Sequence, residues 1–216
     1  IEIPGDAKDN LCVKAYHLIA KDYPLPKIKV HLHKHIPIGA GLGGGSSDAA
    51  FFIKLLNEKF DLGLAWGEMH HYARQLGSDC SFFVSNKPAY VQGKGDEFES
   101  IALDLSTYFI ALVYPSIHIN TAKAYSGVVP VKSIRSLEND ILNLPIEKWE
   151  GIVKNDFEKS IFIQYPELEK IKNKLYSLGA VYASMSGSGS TVYGIFKNQT
   201  ALQSEFSNSF VWEGKL

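Results

Sequence analysis

Cysteine is nearly absent from this 216-residue chain, which carries only Cys12 and Cys80. Two cysteines cannot build a disulfide framework, so the small stapled secreted scaffolds are set aside and a reducing compartment, the cytoplasm, is the expected location. No run approaches the roughly 20 apolar residues of a membrane-spanning helix, and the opening Ile1-Glu2-Ile3-Pro4-Gly5-Asp6 lacks the basic-then-apolar pattern of a signal peptide. Charge of one sign is also lacking. With 22 basic against 23 acidic residues, a net charge of −1 and no block of like charge, the chain shows no electrostatic footprint for nucleic acid or an anionic membrane. The expected partners are small molecules.

What is present is an ordinary globular composition, 45% hydrophobic and 21% charged, long enough for one large domain or two small ones. The chain opens on Ile rather than Met and enters a helical pattern within a few residues, so a preceding part is expected to be missing. Asp9 and Asn10 precede apolar residues at Leu11, Ala15, Leu18 and Ile19, which predicts a helix over 10–22 stopped by Pro24 and Pro26. Ile28, Val30 and Leu32 then alternate with Lys29, His31 and His33, the period of a half-exposed strand. His31, His33 and His35 would share one face of it, better read as solvated than as metal ligands, because no carboxylate or cysteine is near in sequence.

After Pro37 comes a glycine run, and then Ala49, Phe52, Ile53, Leu56 and Phe60 at helical spacing, which predicts a helix capped by Ser46 or Ser47. A second helix with Trp66, Met69, Tyr72, Ala73 and Leu76 inward should end at Gly77, leaving Ser78 and Asp79 just beyond it. Strands are expected at 89–92, 98–102 and 109–114 as one antiparallel section, with a turn at Gly93-Lys94-Gly95-Asp96. Helices are expected at 146–153 and 155–163, and another starts at Pro166 and stops at Gly179. Strands at 180–184 and 191–196 flank a second glycine-serine turn, Ser186-Gly187-Ser188-Gly189-Ser190. Strands and helices that do not alternate strictly point to an α+β fold, with a boundary near 104–106.

The run Gly39-Ala40-Gly41-Leu42-Gly43-Gly44-Gly45-Ser46-Ser47 is the chemically richest feature. Its first six residues fit the dinucleotide pattern, with Asp61 at a suitable distance. A strand opening that fold is buried on both faces, whereas the one here alternates with Lys29, His31 and His33. A P-loop needs Gly-Lys-Ser or Gly-Lys-Thr, and neither follows. A plain turn does not require five glycines in seven residues, since each costs about 0.5–1 kcal/mol of extra ordering entropy. What remains is a phosphate cradle: glycines admit oxygens close to the backbone, successive N–H groups form a nest, and the next helix offers its positive end.

The stretch Pro37-Ile38-Gly39-Ala40-Gly41-Leu42-Gly43-Gly44-Gly45-Ser46-Ser47-Asp48 resembles the ATP loop of the GHMP kinases. Together with Asp9-Asn10-Leu11, Leu76-Gly77-Ser78-Asp79 and the turn 184–190, the triple glycine is most similar to the members that phosphorylate the 2-hydroxyl of a cytidine-diphospho-methylerythritol in non-mevalonate isoprenoid synthesis. Homoserine and mevalonate kinases are the alternatives within the superfamily, and a noncatalytic nucleotide-binding module is the alternative outside it.

The resemblance implies a two-domain α+β architecture. A ribosomal-protein-like ATP-binding domain would occupy 1–105, incomplete at its start, and a ferredoxin-like domain 106–216. It also implies ATP and Mg²⁺ as cofactors. By the same resemblance Asp79 is the base that takes the proton of the attacking hydroxyl. Pro37, Ile38, Gly39, Ala40, Gly41, Leu42, Gly43, Gly44, Gly45, Ser46 and Ser47 hold the nucleotide, with Lys34 and Asn10 near the adenine and Ser47 a ligand for Mg²⁺. Thr121 and Tyr125, in Ile119-Asn120-Thr121-Ala122-Lys123-Ala124-Tyr125, would hold the cytidine end, and Gly187, Ser188 and Gly189 would close near the phosphates and acceptor. The family's catalytic lysine, from an N-terminal strand, corresponds to no residue here, so the 216 residues alone are expected to bind nucleotide weakly and to turn over little. Cys80, beside Asp79, reads as packing rather than as a nucleophile.

Overall fold

A computed structural model describes residues 6–95, 97–131 and 134–216, so Ile1–Gly5 and Asp96 of the expected turn lie outside it. The chain divides into two compact units: the residues up to Ile38 with Gly43–Ile101 form one, and Gly39–Leu42 with Ala102–Leu216 form the other.

The first unit is helical with one hairpin. A short 3₁₀ turn, Ala7–Asp9, leads into α1 (Leu11–Ile19), which starts at Asn10 because the Asn10 side chain accepts the Cys12 N–H at 2.9 Å. α2 (Gly44–Lys59), α3 (Trp66–Leu76) and α4 (Ser78–Ser85) pack with it around Ala15, Ile19, Ala49, Ile53, Leu56 and Ala73. β1 (Ala89–Gln92) and β2 (Glu97–Ser100) pair antiparallel, Ala89 opposite Ser100.

Residues 28–33 run without strand pairing, because alternation makes a strand only where a neighbour supplies the ladder, and none of the described residues does so. Ser46 and Ser47 lie inside the first turn of α2 rather than capping it; the cap position is Gly43, in the left-handed region at φ 63°. Trp66 is exposed and His70 is buried instead, among Trp66, whose ring centroid is 3.9 Å from its own, and Ser85 Oγ, 3.1 Å from its Nε2. Gly77 ends α3 in extended backbone, and Ser78 opens α4 directly.

The second unit is an antiparallel four-stranded sheet in the order β4-β5-β3-β6, made of β3 (Phe109–Tyr114), β4 (Tyr182–Met185), β5 (Val192–Phe196) and β6 (Phe210–Lys215). β3 therefore pairs with β5 and β6, not with the preceding hairpin. Its helices are α5 (Thr121–Ser126), α6 (Leu137–Asn143), α7 (Glu158–Gln164) and α8 (Pro166–Ser177). α8 runs from Pro166 to a left-handed Gly179 at φ 96°, as its proline and glycine predict, and buries Leu168, Ile171 and Leu175 with Ala111, Val113 and Ile161. The helix expected at 146–153 reduces to a 3₁₀ turn, Ile146–Lys148. Asn155 stands outside α7, because its side-chain oxygen takes the Phe157 N–H at 3.0 Å and makes a turn instead.

Candidate active site

The glycine run alternates in hand. Gly39, Gly41 and Gly43 have φ of 71°, 77° and 63°, while Ala40 and Leu42 between them stay out of the left-handed region. Such alternation turns successive N–H groups toward one side, which is the geometry of an anion nest. Glycine is also required for space. A Cβ at Gly41 would stand 2.5 Å from the Ser186 carbonyl oxygen and 2.6 Å from that of Gly189; one at Gly43 would meet the Phe83 ring at 2.9 Å. At Gly39 it would meet His118 Nδ1 at 2.6 Å.

Beyond Gly43 the chain enters α2, whose N-terminus has no side-chain cap. The first N–H groups of a helix have no partner within it, so this end offers uncompensated donors and the positive pole of the helix dipole. Gly45 is exposed, and a Cβ there would find only Leu11 Cδ1, at 4.0 Å. Under the same turn lies Lys34, buried and paired with Asp48, its Nζ 3.0 Å from where a Gly44 Cβ would stand. A buried ammonium needs such a partner.

Asp79 lies in the first turn of α4, exposed, with the Ser78 hydroxyl donating to its Oδ1 at 3.2 Å. α4 is tied to α2, because the next residue, Cys80, is buried with Ala49 and Ala50, and Lys54 Nζ donates to the Phe83 carbonyl at 3.1 Å. Burial pushes the Cys80 thiol up and the Ser46 contact opposes it, while burial and the Asp48 charge raise Cys12 to about 11. Both thiols are unbridged, buried and far from being nucleophiles at neutral pH. Gly43 to Ser47, Lys34 and the first turn of α4 thus come together in the first unit.

In the second unit the two glycine turns are laced together. Ser186 Oγ donates to the Gly41 carbonyl at 2.7 Å, and the Thr191 N–H donates to that of Ala40 at 3.1 Å. Thr121, the first residue of α5, places its Oγ1 3.5 Å from Ser188 Oγ. Tyr125 is exposed and meets the Phe157 ring edge-on, with centroids 4.9 Å apart. Asn10 spends its side-chain oxygen on capping α1, and its neighbour Leu11 is the residue that adjoins Gly45.

Sequence reasoning passed over two groups that the structure brings to these turns. His118, exposed in the segment before α5, lies against Gly39, and no motif marks it. Asn155 grips the second turn from behind. Its position just before an aromatic and an acidic residue reads as a helix start, and that pattern hides a side chain whose partners are 30 and 32 residues away.

Residues 10–87 match the GHMP kinases N terminal domain and residues 141–210 the GHMP kinases C terminal domain. A 4-diphosphocytidyl-2-C-methyl-D-erythritol kinase of Azobacteroides pseudotrichonymphae is 53% identical over 197 residues, covering 90% of this chain and 74% of that protein. One of Bacteroides fragilis is 46% identical over 217 residues, covering 100% of this chain and 79% of its own length. A crystal structure of a 4-(cytidine 5'-diphospho)-2C-methyl-D-erythritol kinase superposes with a TM-score of 0.81 at 26% identity, over 98% of this chain and 80% of that one. The chain belongs to the GHMP kinase family, in the company of its 4-diphosphocytidyl-2-C-methyl-D-erythritol kinases.

Proposed function

We propose that this protein transfers the γ-phosphoryl group of ATP to the 2-hydroxyl of 4-diphosphocytidyl-2-C-methyl-D-erythritol, a step of non-mevalonate isoprenoid synthesis. The observation that carries the reading is the uncapped N-terminus of α2, entered through alternating left-handed glycines, in the same helical unit as Asp79 in the first turn of α4. Phosphoryl transfer asks the protein mainly for positioning and charge neutralisation. The loop N–H groups and the α2 dipole receive the phosphates. Asp79 orients the hydroxyl and accepts its proton as the O–P bond forms. Thr121 and Tyr125 hold the cytidine, and Gly187, Ser188 and Gly189 lie along the acceptor. Lys34 and Asn10 border the adenine.

Among the described residues no cluster of three His, Cys, Asp or Glu side chains could hold a metal alone. Mg²⁺ would come with the nucleotide, since it keeps phosphate oxygens and waters and takes few protein ligands; Ser47, in the first turn of α2, would supply one. In this reading ATP binds a domain ending near residue 105, and 106–216 form the second domain. No described helix is long and apolar enough to cross a membrane, and two buried free thiols suit the cytoplasm.

The test is ADP release by the purified gene product with ATP, Mg²⁺ and each of three alcohols in turn. Release that depends on the cytidine-linked alcohol, and not on homoserine or mevalonate, supports the reading; release with either of the others and none with the first overturns it. Asp79→Asn, which keeps shape and loses the base, should lower kcat by about 10²–10⁴-fold, and an unchanged rate removes Asp79 from the role.

A further inference from the structure

Asn155 lies outside the glycine loop and outside every residue proposed above to touch a substrate, yet its side chain is fully used. Nδ2 donates to the carbonyl oxygens of Met185 at 2.7 Å and Gly187 at 2.8 Å, and Oδ1 accepts the Phe157 N–H at 3.0 Å. The first bond fixes the end of β4. The second grips the glycine-serine turn at Gly187, which is left-handed with φ 53°.

A peptide unit is planar and trans, so its N–H points opposite to its C=O. Holding the Gly187 carbonyl toward Asn155 therefore turns the Ser188 N–H away from Asn155. Among the described residues that N–H donates to nothing, while those of Ser186 and Gly189 are engaged with the Thr191 and Ser186 carbonyls; the Gly187 N–H is likewise without an acceptor, but only the Ser188 N–H shares the peptide unit that Asn155 holds. The same Ser188 has its hydroxyl beside Thr121, and the turn that carries it is bonded through Ser186 to Gly41 of the phosphate loop.

We infer that Asn155 is a positioning residue, which aims the Ser188 N–H at the phosphoryl group in transfer and so sets kcat without touching either substrate. The inference rests on the kinase reading above. Only a side chain with two donors and an acceptor in one plane can serve the two carbonyls and the Phe157 N–H together. Aspartate has no donor and would face two carbonyl oxygens with negative charge. The strand behind the turn has its own anchor, since the Glu158 carboxylate accepts from Ser184 Oγ at 3.0 Å and from the Met185 N–H at 2.8 Å and pairs with Lys172. Loss of Asn155 therefore loosens the turn and leaves β4 in place.

The experiment compares Asn155→Ala and Asn155→Asp with wild type and with Ser136→Ala, which removes the N-cap of α6 and stands for a plain loss of stability. Outright removal of one preorganised donor costs about 10²–10³ in kcat, and a loosened one should cost about tenfold or more. Both Asn155 variants should show that fall with the KM of the alcohol within twofold, while Ser136→Ala loses thermal stability and keeps its kcat. A kcat within twofold of wild type in both Asn155 variants, or a fall matched by Ser136→Ala, overturns the inference. A wild-type protein that turns over none of the alcohols rejects the kinase reading instead. In that case binding decides the positioning role: the preference for ATP over AMP should fall at least threefold in both variants, and an unchanged preference overturns it.

Discussion

Replacing Gly45 with alanine should stabilise the fold and weaken its hold on ATP at the same time. Gly45 has ordinary helical geometry in the first turn of α2, and a Cβ there would meet only Leu11 Cδ1, at 4.0 Å. Nothing in the polypeptide asks for glycine at this position, so alanine should gain about 0.4–1 kcal/mol by narrowing the unfolded ensemble. In a chain of this size that gain raises Tm by about 1–4 °C. A phosphate seated on the α2 N-terminus, in contrast, must approach the Gly45 backbone where the new methyl would stand. Displacing one charge-assisted hydrogen bond worth about 1.5–3 kcal/mol weakens binding about 10–100-fold. Differential scanning fluorimetry reads the first effect and titration calorimetry with ATP the second. Gly41→Ala should do the opposite to the fold, because its φ of 77° and the Ser186 carbonyl at 2.5 Å leave no place for a side chain. A Gly45→Ala protein that binds ATP like wild type would refute the close approach of phosphate to this turn, and a lowered Tm would refute the account of its backbone.

Tyr125→Ala should raise the KM of the cytidine-linked alcohol by about 5–100-fold, the worth of one base stacked on a ring, and should leave the KM of ATP and the Tm almost unmoved, because the ring is exposed; steady-state kinetics with each substrate varied checks it. Lys34→Met should destabilise the protein by about 3 kcal/mol in urea unfolding, since it leaves Asp48 with an unpaired, mostly buried charge, and Lys34→Met with Asp48→Asn should recover part of the loss. His70 titrates below its usual value because burial, and then the Arg74 and Lys54 charges, disfavour its protonated form. The unfolded chain therefore binds this proton more readily, so stability present above the unfolded pKa is lost as pH falls through the folded one. The urea midpoint of wild type should drop between pH 7.5 and 5.5 by more than that of His70→Gln, and equal drops would refute the assignment.

The glycine turn before α2 was legible because its conformation is local: glycines at 39, 41 and 43 allow left-handed backbone, and Pro166 and Gly179 bracket α8 as their chemistry dictates. The strand expected at 28–33 was not, because alternation reports which face is wet and says nothing of whether a neighbouring ladder exists. α5 and α6 went unseen for a related reason. They are six and seven residues long, too short to display a period, and their starts rest on Asn120 and Ser136, residues common in any turn. β6 carries Gly214 and half-exposed neighbours, so its alternation is faint until Val211 and Trp212 are seen opposite Val113 and Leu112. Asn155 illustrates the limit for function. Its amide serves three backbone groups, and two of them, at the end of β4 and in the turn that follows, are connected to it by no spacing rule.

The bond from Ser186 Oγ to the Gly41 carbonyl spans 145 positions of sequence. Closing a loop of that length costs about 4 kcal/mol of chain entropy by the logarithmic scaling, far more than one hydrogen bond returns. The turn at 186–190 can therefore be finished only after Gly39–Leu42 has been delivered to it, which places its assembly late in folding. A gene fragment encoding residues 102–216 would leave the Thr191 N–H and the Ser186 hydroxyl without their acceptors. Cutting the gene between residues 101 and 102 would therefore leave the first unit whole and strip the second of Gly39–Leu42, the stretch of loop on which its 186–190 turn closes.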